Sequence, residues 1–559
     1  MKVRLPEFLP ASAVVLVVAV LPFAVFWMPF QVGLWAVGSA LVAIVAALVG
    51  LGRRDTVQAV RNSPHAVRLG LTLYVGAAAY GAVLGLVLGN PIRYVVSQTA
   101  SMAILPASFI GFRTGSRPSL RRLATGLGLG SMVALGVHVG FLVLRAGGPA
   151  VTGEALRLTL PHDISFIGTA VMAFLAALVW WAEARSAFAA GAVAASGCLL
   201  VGSMSRGAWL VSLGGFGLLW LLSRRRRWWT LALLASAPLA CVAVILGASG
   251  WVWGHGRPLV ASRVDFSPQT LPDSVIEIER DVPVTGGPIE LTFGASGPWT
   301  QPPVLVVKAR DGSGNMTSLA ALTPNPSAPS EDVRSVHFPP IGVIRLDFLV
   351  RQAGGDSRAL RLEARELPGA LAGWVRTLGL RLRTIGTAIT KPAEDDTMQY
   401  RLSEWAAVRR VWLGSSPTGW LIGRGLGATV EFPNSSWDAQ GHRVLVPTSS
   451  YLHNFYVFLG FKLGLAGIAA LAGLLMVVGW TCRVAWSARS TGGSLPLAAA
   501  AACWCAYLAW SVTSPEIINA HTATLLGALV AASLADAAHH PGPLPQAASR
   551  SQSSSMRSA

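Results

Sequence analysis

Three arginines and one histidine stand at positions that neither a buried core nor a plain membrane helix explains. Arg206 lies in Gly202-Ser-Met-Ser-Arg-Gly, Arg401 in Arg-Leu-Ser-Glu-Trp, Arg424 in Gly-Arg-Gly-Leu-Gly, and His453 with Asn454 in Ser449-Ser-Tyr-Leu-His-Asn-Phe-Tyr. A guanidinium suits phosphate, because its planar fork donates two parallel hydrogen bonds and never deprotonates. An imidazole titrates near neutrality and can take a proton from a hydroxyl. Each residue also has a plainer reading. Arg206 can snorkel to lipid phosphate, His453 can cap a helix or bond a neighbour, and the glycines at 423, 425 and 427 can form a turn rather than a phosphate cradle. His162 with Asp163, and Glu516, Asn519 and His521, are further polar candidates, with loop or cap chemistry as the simpler reading. Around these positions there is no Asp-x-Asp pair and no His/Glu cluster with metal-ligand spacing, so neither a metal nor a cofactor is expected.

The elements that must carry these residues are membrane helices. Of the 559 residues, 53% are hydrophobic and only 13% charged, which argues strongly against a soluble enzyme. The formal net charge of +18 would suggest nucleic acid in a soluble chain. Between Trp251 and Ser450, however, about 20 basic and 19 acidic residues nearly balance, so the excess lies in and between apolar stretches. Such arginines orient membrane helices, and nucleic acid is not an expected partner. All five cysteines fall inside apolar stretches, which argues for packing rather than a disulfide framework.

Apolar runs long enough to cross a bilayer recur about twelve times. They span approximately 10–29, 31–51, 69–89, 95–112, 123–144, 164–182, 186–204, 208–222, 228–250, 455–481, 495–511 and 518–536. Lys2 and Arg4 precede the first span and a second follows directly, so no cleaved signal peptide is needed. A cytoplasmic N-terminus puts Arg53, Arg54, Arg61 and Arg68, then Arg113, Arg117, Arg121 and Arg122, then Arg224 to Arg227, and Arg483 with Arg489, all inside. Both termini are then cytoplasmic, and the polar segment after the ninth span is exported.

That exported segment has two parts. From Arg257 to about Glu366, runs such as Ser274–Ile278, Ile289–Phe293, Val304–Val307 and Ile344–Val350 are short, rich in Val and Ile, and broken by turn residues. From Leu371 to Leu413 the pattern is helical, with Trp374, Leu378, Leu380 and Ile385 on one amphipathic piece that either lies on the membrane surface or packs on the bundle. The expected fold is an all-α polytopic membrane protein of about twelve transmembrane helices, with a large extracytoplasmic loop containing an inserted β-sandwich-like domain. Its divisions are helices in 1–250, the β-rich insert in 251–370, a helical external loop in 371–450, helices in 451–538 and a disordered Ser/Pro/Gln-rich tail in 539–559.

Several stretches, taken in order, resemble the O-antigen ligase and O-antigen polymerase family. They are Ser205-Arg-Gly-Ala-Trp opening a span, Arg401-Leu-Ser-Glu-Trp, Pro417 with Gly423-Arg-Gly-Leu-Gly, and His453-Asn-Phe-Tyr with Gly464-Leu-Ala-Gly entering a span. The resemblance covers roughly Ala190 to Trp480, and motif order and topology are more specific than any one motif. It implies a glycosyltransferase of the bacterial inner membrane, acting in polysaccharide or lipopolysaccharide biosynthesis. The donor would be an undecaprenyl-diphosphate-linked glycan at the periplasmic face, and the acceptor lipid A–core, another lipid-linked repeat, or a protein. Envelope polysaccharide-assembly proteins are the implied protein partners. By the resemblance His453 matches the family's essential His, a base for the acceptor hydroxyl, and Arg206 and Arg401 match arginines that hold the diphosphate. Arg424, Asn454 and Tyr456 are taken as substrate contacts, with Asn454 either orienting the His ring or capping the helix. Arg424 departs from the family pattern, where a small apolar residue is expected, and the β-rich insert lies outside the resemblance. The rival class is a multi-span transporter or flippase for lipid-linked saccharides, which calls for polar or broken helices near the midplane.

Overall fold

The computed structural model describes residues 54–114, 119–145, 151–152, 164–203, 205–222, 243–266, 275–283, 289–296, 304–310, 316–322, 332–337, 343–349, 358–368, 370–392, 396–414, 416–437, 443–447, 452–489 and 495–539. The expected spans 10–29 and 31–51, most of 228–250, the 540–559 tail, and His162 with Asp163 lie outside the described residues.

The chain is mostly helical. In order, α1 covers Arg54–Arg61, α2 His65–Val87, α3 Ile92–Thr114, α4 Leu120–Arg145, α5 Ile164–Ala184, α6 Ala187–Gly202, α7 Arg206–Leu222 and α8 Ala243–Gly254. After the strands follow α9 at Ala370–Thr390, α10 at Asp396–Leu413, α11 at Pro417–Ile422, α12 at Phe455–Leu463, α13 at Leu465–Ala488, α14 at Leu495–Trp510 and α15 at Ala520–His539. By length and composition, five described helices can cross a membrane: His65–Val87, Ile92–Arg113, Ile167–Ala184, Leu465–Ala488 and His521–Ala538. Close helix contact is built from small residues. A Cβ on Gly70 of α2 would lie 2.3 Å from the Gly473 carbonyl oxygen of α13, so only glycine permits that crossing.

One expectation is corrected. The run 455–481 is not one helix, because Gly464 takes φ +57 and separates α12 from α13. A Cβ there would come within 2.2 Å of the Leu421 carbonyl oxygen, so the break is imposed by the segment packed against it. The run is apolar on both sides of Gly464, so hydropathy alone marks no break there; only the Gly464-Leu-Ala-Gly stretch of the resemblance placed the entry to a span at that residue.

Cross-links identify the two ends of the bundle. At one end Arg113 donates to the Ala59 carbonyl, Arg121 pairs with Glu183 at 2.9 Å, and the Leu120 amide donates to Asp536. At the other, the amide of Phe455 donates to the Ser511 carbonyl and Asn90 donates to the carbonyls of Arg424 and Leu426. Arg206, Arg424 and His453 are all at or beside this second end, away from Arg113 and Arg121.

The insert contributes β2 to β9: Arg257–Phe266, Val275–Pro283, Ile289–Ser296, Val304–Arg310, Met316–Leu322, Asp332–His337, Val343–Leu349 and Arg358–Glu366. The two-residue β1, Val151–Thr152, joins them from the loop after α4, so one sheet runs β1-β7-β4-β9-β2 and the other β3-β8-β5-β6, each antiparallel. The insert's first and last strands pair from Arg257 opposite Glu366 to Phe266 opposite Arg358. Its two ends are therefore adjacent, as an insertion into a loop requires. A short hairpin, β10 at Glu431–Trp437 and β11 at Arg443–Pro447, precedes α12.

Candidate active site at one end of the bundle

The site is built around the start of α12. Asn454 is its N-cap, with extended backbone and a side-chain oxygen that accepts from the Val457 amide at 3.0 Å. Of the two readings of Asn454, this geometry gives it the cap. The cap fixes the direction of the preceding residue, His453. The His453 amide donates to Glu404 Oε2 at 2.8 Å, and its ring Nδ1 lies 3.2 Å and 3.3 Å from the two Glu404 oxygens. An ionised carboxylate only accepts, so Nδ1 is the donor and a neutral ring carries its lone pair on Nε2.

Glu404 comes from α10 and is 1% exposed, whereas the His453 side chain keeps 22% of its surface open. The acid is thus enclosed and the imidazole reachable. Tyr400, one turn before Glu404, meets the His453 ring edge-on at 5.3 Å and 87° and the Phe432 ring at 5.0 Å. These ring contacts add to the Glu404 bonds in restricting rotation of the imidazole. Burial first, and then the negative Glu404, push the Tyr400 hydroxyl pKa up, so Tyr400 is a neutral wall of the site. Arg401 lies three residues before Glu404 on the same helix, where side chains share a face, and its Nη1 is 3.9 Å from Met398 Sδ.

Arg206 opens α7, and its Nη1 donates to the Thr384 carbonyl of α9 at 3.1 Å. Its neighbour Gly207 packs on Trp510: a Cβ there would be 2.9 Å from the indole nitrogen. The next residue, Ser511, accepts from Phe455. The end of α14 therefore brings the starts of α7 and α12, 249 residues apart in the chain, to one pole of the bundle.

The glycine-rich stretch does something else. Gly423, Gly425 and Gly427 have φ of +86, +75 and +83, and the amides of residues 423 to 427 donate to Gly419, Phe461, Lys462, Gly81 and Gln98 Oε1 respectively. Every amide that a phosphate cradle would need is consumed. A Cβ on Gly425 would lie 2.5 Å from the Gly85 backbone, so the stretch is a strap pressed between α2 and α12. Its far side is held by Lys462, wholly buried, whose Nζ donates to the Ala428 carbonyl. Arg424 is thus placed by a structural strap. The Tyr456 hydroxyl donates to the Leu508 carbonyl at 2.7 Å and ties α12 to α14.

Sequence reasoning missed Glu404, although it read the Arg-Leu-Ser-Glu-Trp stretch that contains it. The available signal was its place one helical turn after Arg401. Its partner is 49 residues away, and that pairing has no sequence signature. Lys462 was hidden in an apolar run for the same reason. Among the described residues no group of three or more His, Cys, Asp or Glu side chains could hold a metal ion. Comparison of the chain with protein-family models, curated proteins and solved structures finds no match.

Proposed function

We propose that the protein is a membrane glycosyltransferase of the O-antigen ligase or polymerase type, which moves a glycan from an undecaprenyl-diphosphate carrier to a hydroxyl acceptor. The observation that supports this reading best is the enclosed Glu404 beneath a partly open His453, an arrangement suited to a general base. In this reading about twelve helices cross the bacterial inner membrane, with both termini cytoplasmic and the Arg113 and Arg121 end inside. The site then faces the periplasm, and the two sheets form an exported β-sandwich-like domain.

The acceptor hydroxyl gives its proton to His453 Nε2 as its oxygen attacks the anomeric carbon. The bond from that carbon to the diphosphate oxygen breaks, and the carrier diphosphate leaves with the electron pair. One displacement inverts the anomeric centre. Glu404 holds the imidazole in the productive tautomer and stabilises the imidazolium that forms. Arg206 and Arg401 neutralise charge growing on the leaving diphosphate, which fixed guanidinium groups can do without reorganisation. The acceptor is lipid A–core, another lipid-linked repeat or a protein.

The test is transfer by purified protein in nanodiscs, with undecaprenyl-diphosphate glycan as donor, envelope lipids and a second donor molecule as acceptors, and EDTA present. Product from wild type and none from His453→Ala supports the reading, and product size separates single ligation from polymerisation. Absence of product with every acceptor, alongside intact lipid flipping in both proteins, overturns it in favour of a transporter.

A further inference from the structure

The β-rich insert is fastened to the helical site by a buried ion pair. Glu290 on β4 is fully buried and Arg376 on α9 is 5% exposed. The Arg376 Nε lies 2.9 Å and 3.2 Å from the two Glu290 oxygens, and its Nη2 donates to Oε1 at 3.0 Å. Trp253, at the end of α8, is stacked against two guanidinium groups, with Arg376 Cζ 4.7 Å and Arg365 Cζ 4.5 Å from its ring centroid. Arg365 also donates to the Trp253 carbonyl and pairs with Glu363 on its own strand. Insert, α8 and α9 therefore converge on one knot of charge and aromatic surface.

The same helix reaches Arg206. Gly379 of α9 lies so close to α8 that a Cβ would be 2.3 Å from the Ser249 side chain, which fixes the rotation of α9 about its axis. Eight residues beyond Arg376, about 12 Å along the helix, the Thr384 carbonyl accepts from Arg206. A rigid helix thus carries the insert's anchor near its start and the acceptor for the Arg206 guanidinium near its end. Burial raises the Glu290 carboxyl pKa while the Arg376 bond and charge oppose it, so loss of either partner strands the other in a dry site.

We infer that Glu290 and Arg376 are positioning residues: through α9 they set where the Arg206 guanidinium sits, so that the insert governs engagement of the anionic leaving group. The inference about catalysis rests on the glycosyl-transfer reading. The anchoring of α9 does not.

Two measurements test it. The first is the distance between spin labels on Ile389→Cys of α9 and Val512→Cys beyond α14, both exposed positions, in a cysteine-free background. A narrow distribution that broadens or shifts in Glu290→Ala and is retained in Glu290→Asp is expected. An unchanged distribution in Glu290→Ala overturns the inference whether or not the protein transfers glycan. The second is a double-mutant cycle on transfer with Arg206→Lys, which keeps a charge and a residual rate. Glu290→Ala should lower kcat on the order of tenfold in wild type, yet less than about twofold beside Arg206→Lys, because both changes act on one group. Equal losses in the two backgrounds mean that Glu290 acts elsewhere and overturn the inference. Absence of transfer in wild type removes the glycosyltransferase reading, and the label distances still decide the anchor.

Discussion

Leu452–Asn454 precede the first turn of α12 and Gly423–Gly427 bond to its last turn, and both look like ligand motifs in the sequence. They do opposite work. In the glycine strap every amide is already bonded to α2, α3, α11 or α12, and the glycines are required by left-handed backbone and by contacts too short for a Cβ. At His453 the amide and Nδ1 are spent on one buried carboxylate, and that expenditure leaves Nε2 unused by the pair. At His453 the bonds hold a partly exposed ring in one orientation, whereas in the glycine stretch they close on the fold.

The largest expected break in this contrast is His453→Ala, which should lower transfer about 10³-fold, measured as turnover in nanodiscs, with the melting temperature nearly unchanged. Next comes Glu404→Gln, expected to lower kcat about 10²-fold, since the amide no longer dictates the tautomer or stabilises the imidazolium. Its KM should move far less, because Glu404 touches the ring and not the substrate. Gly425→Ala should do the reverse. Strain at φ +75 and the clash with Gly85 should cost about 2–4 kcal/mol of stability, read by thermal unfolding in detergent, while surviving protein keeps its turnover. Smallest is Asn454→Ala, which should cost about 1 kcal/mol through the lost cap and be rescued by Asp or Ser. A loss of turnover in Asn454→Ala that Asp and Ser fail to rescue would favour the other reading of Asn454, as a residue that orients the His453 ring.

Much of the architecture was legible. The helices at His65–Val87, Ile92–Thr114, Ile164–Ala184 and Ala520–His539 fall where apolar runs were read, and strands lie at all four places where Val/Ile runs met turn residues. Helix α9 also follows its amphipathic pattern, and Leu378 is fully buried against the bundle, which favours packing over a surface position for that face. The starts of α7 and α12 both pack against the end of α14, at the end of the bundle where the sequence placed Arg206 and His453 together. For Asn454 and the glycine stretch the sequence offered two readings each and did not choose: the Asn454 cap depends on the local backbone turn to Val457, and the strap amides close on partners from 4 to 345 residues away.

Composition and period determine which segments are helix or strand, since burial of an apolar face or stripe is a local property of the chain. By itself the sequence therefore determined an apolar helical protein with an inserted β-rich segment, and singled out Arg206, Arg401 and His453 as polar groups needing a reason. Only tertiary structure decided that Glu404 serves His453, that Gly464 breaks a continuous apolar run, and that Glu290 of the insert holds the helix whose carbonyl receives Arg206. Those outcomes rest on pairings between distant segments, and a hydrogen bond or ion pair across such distances leaves no periodicity in either partner.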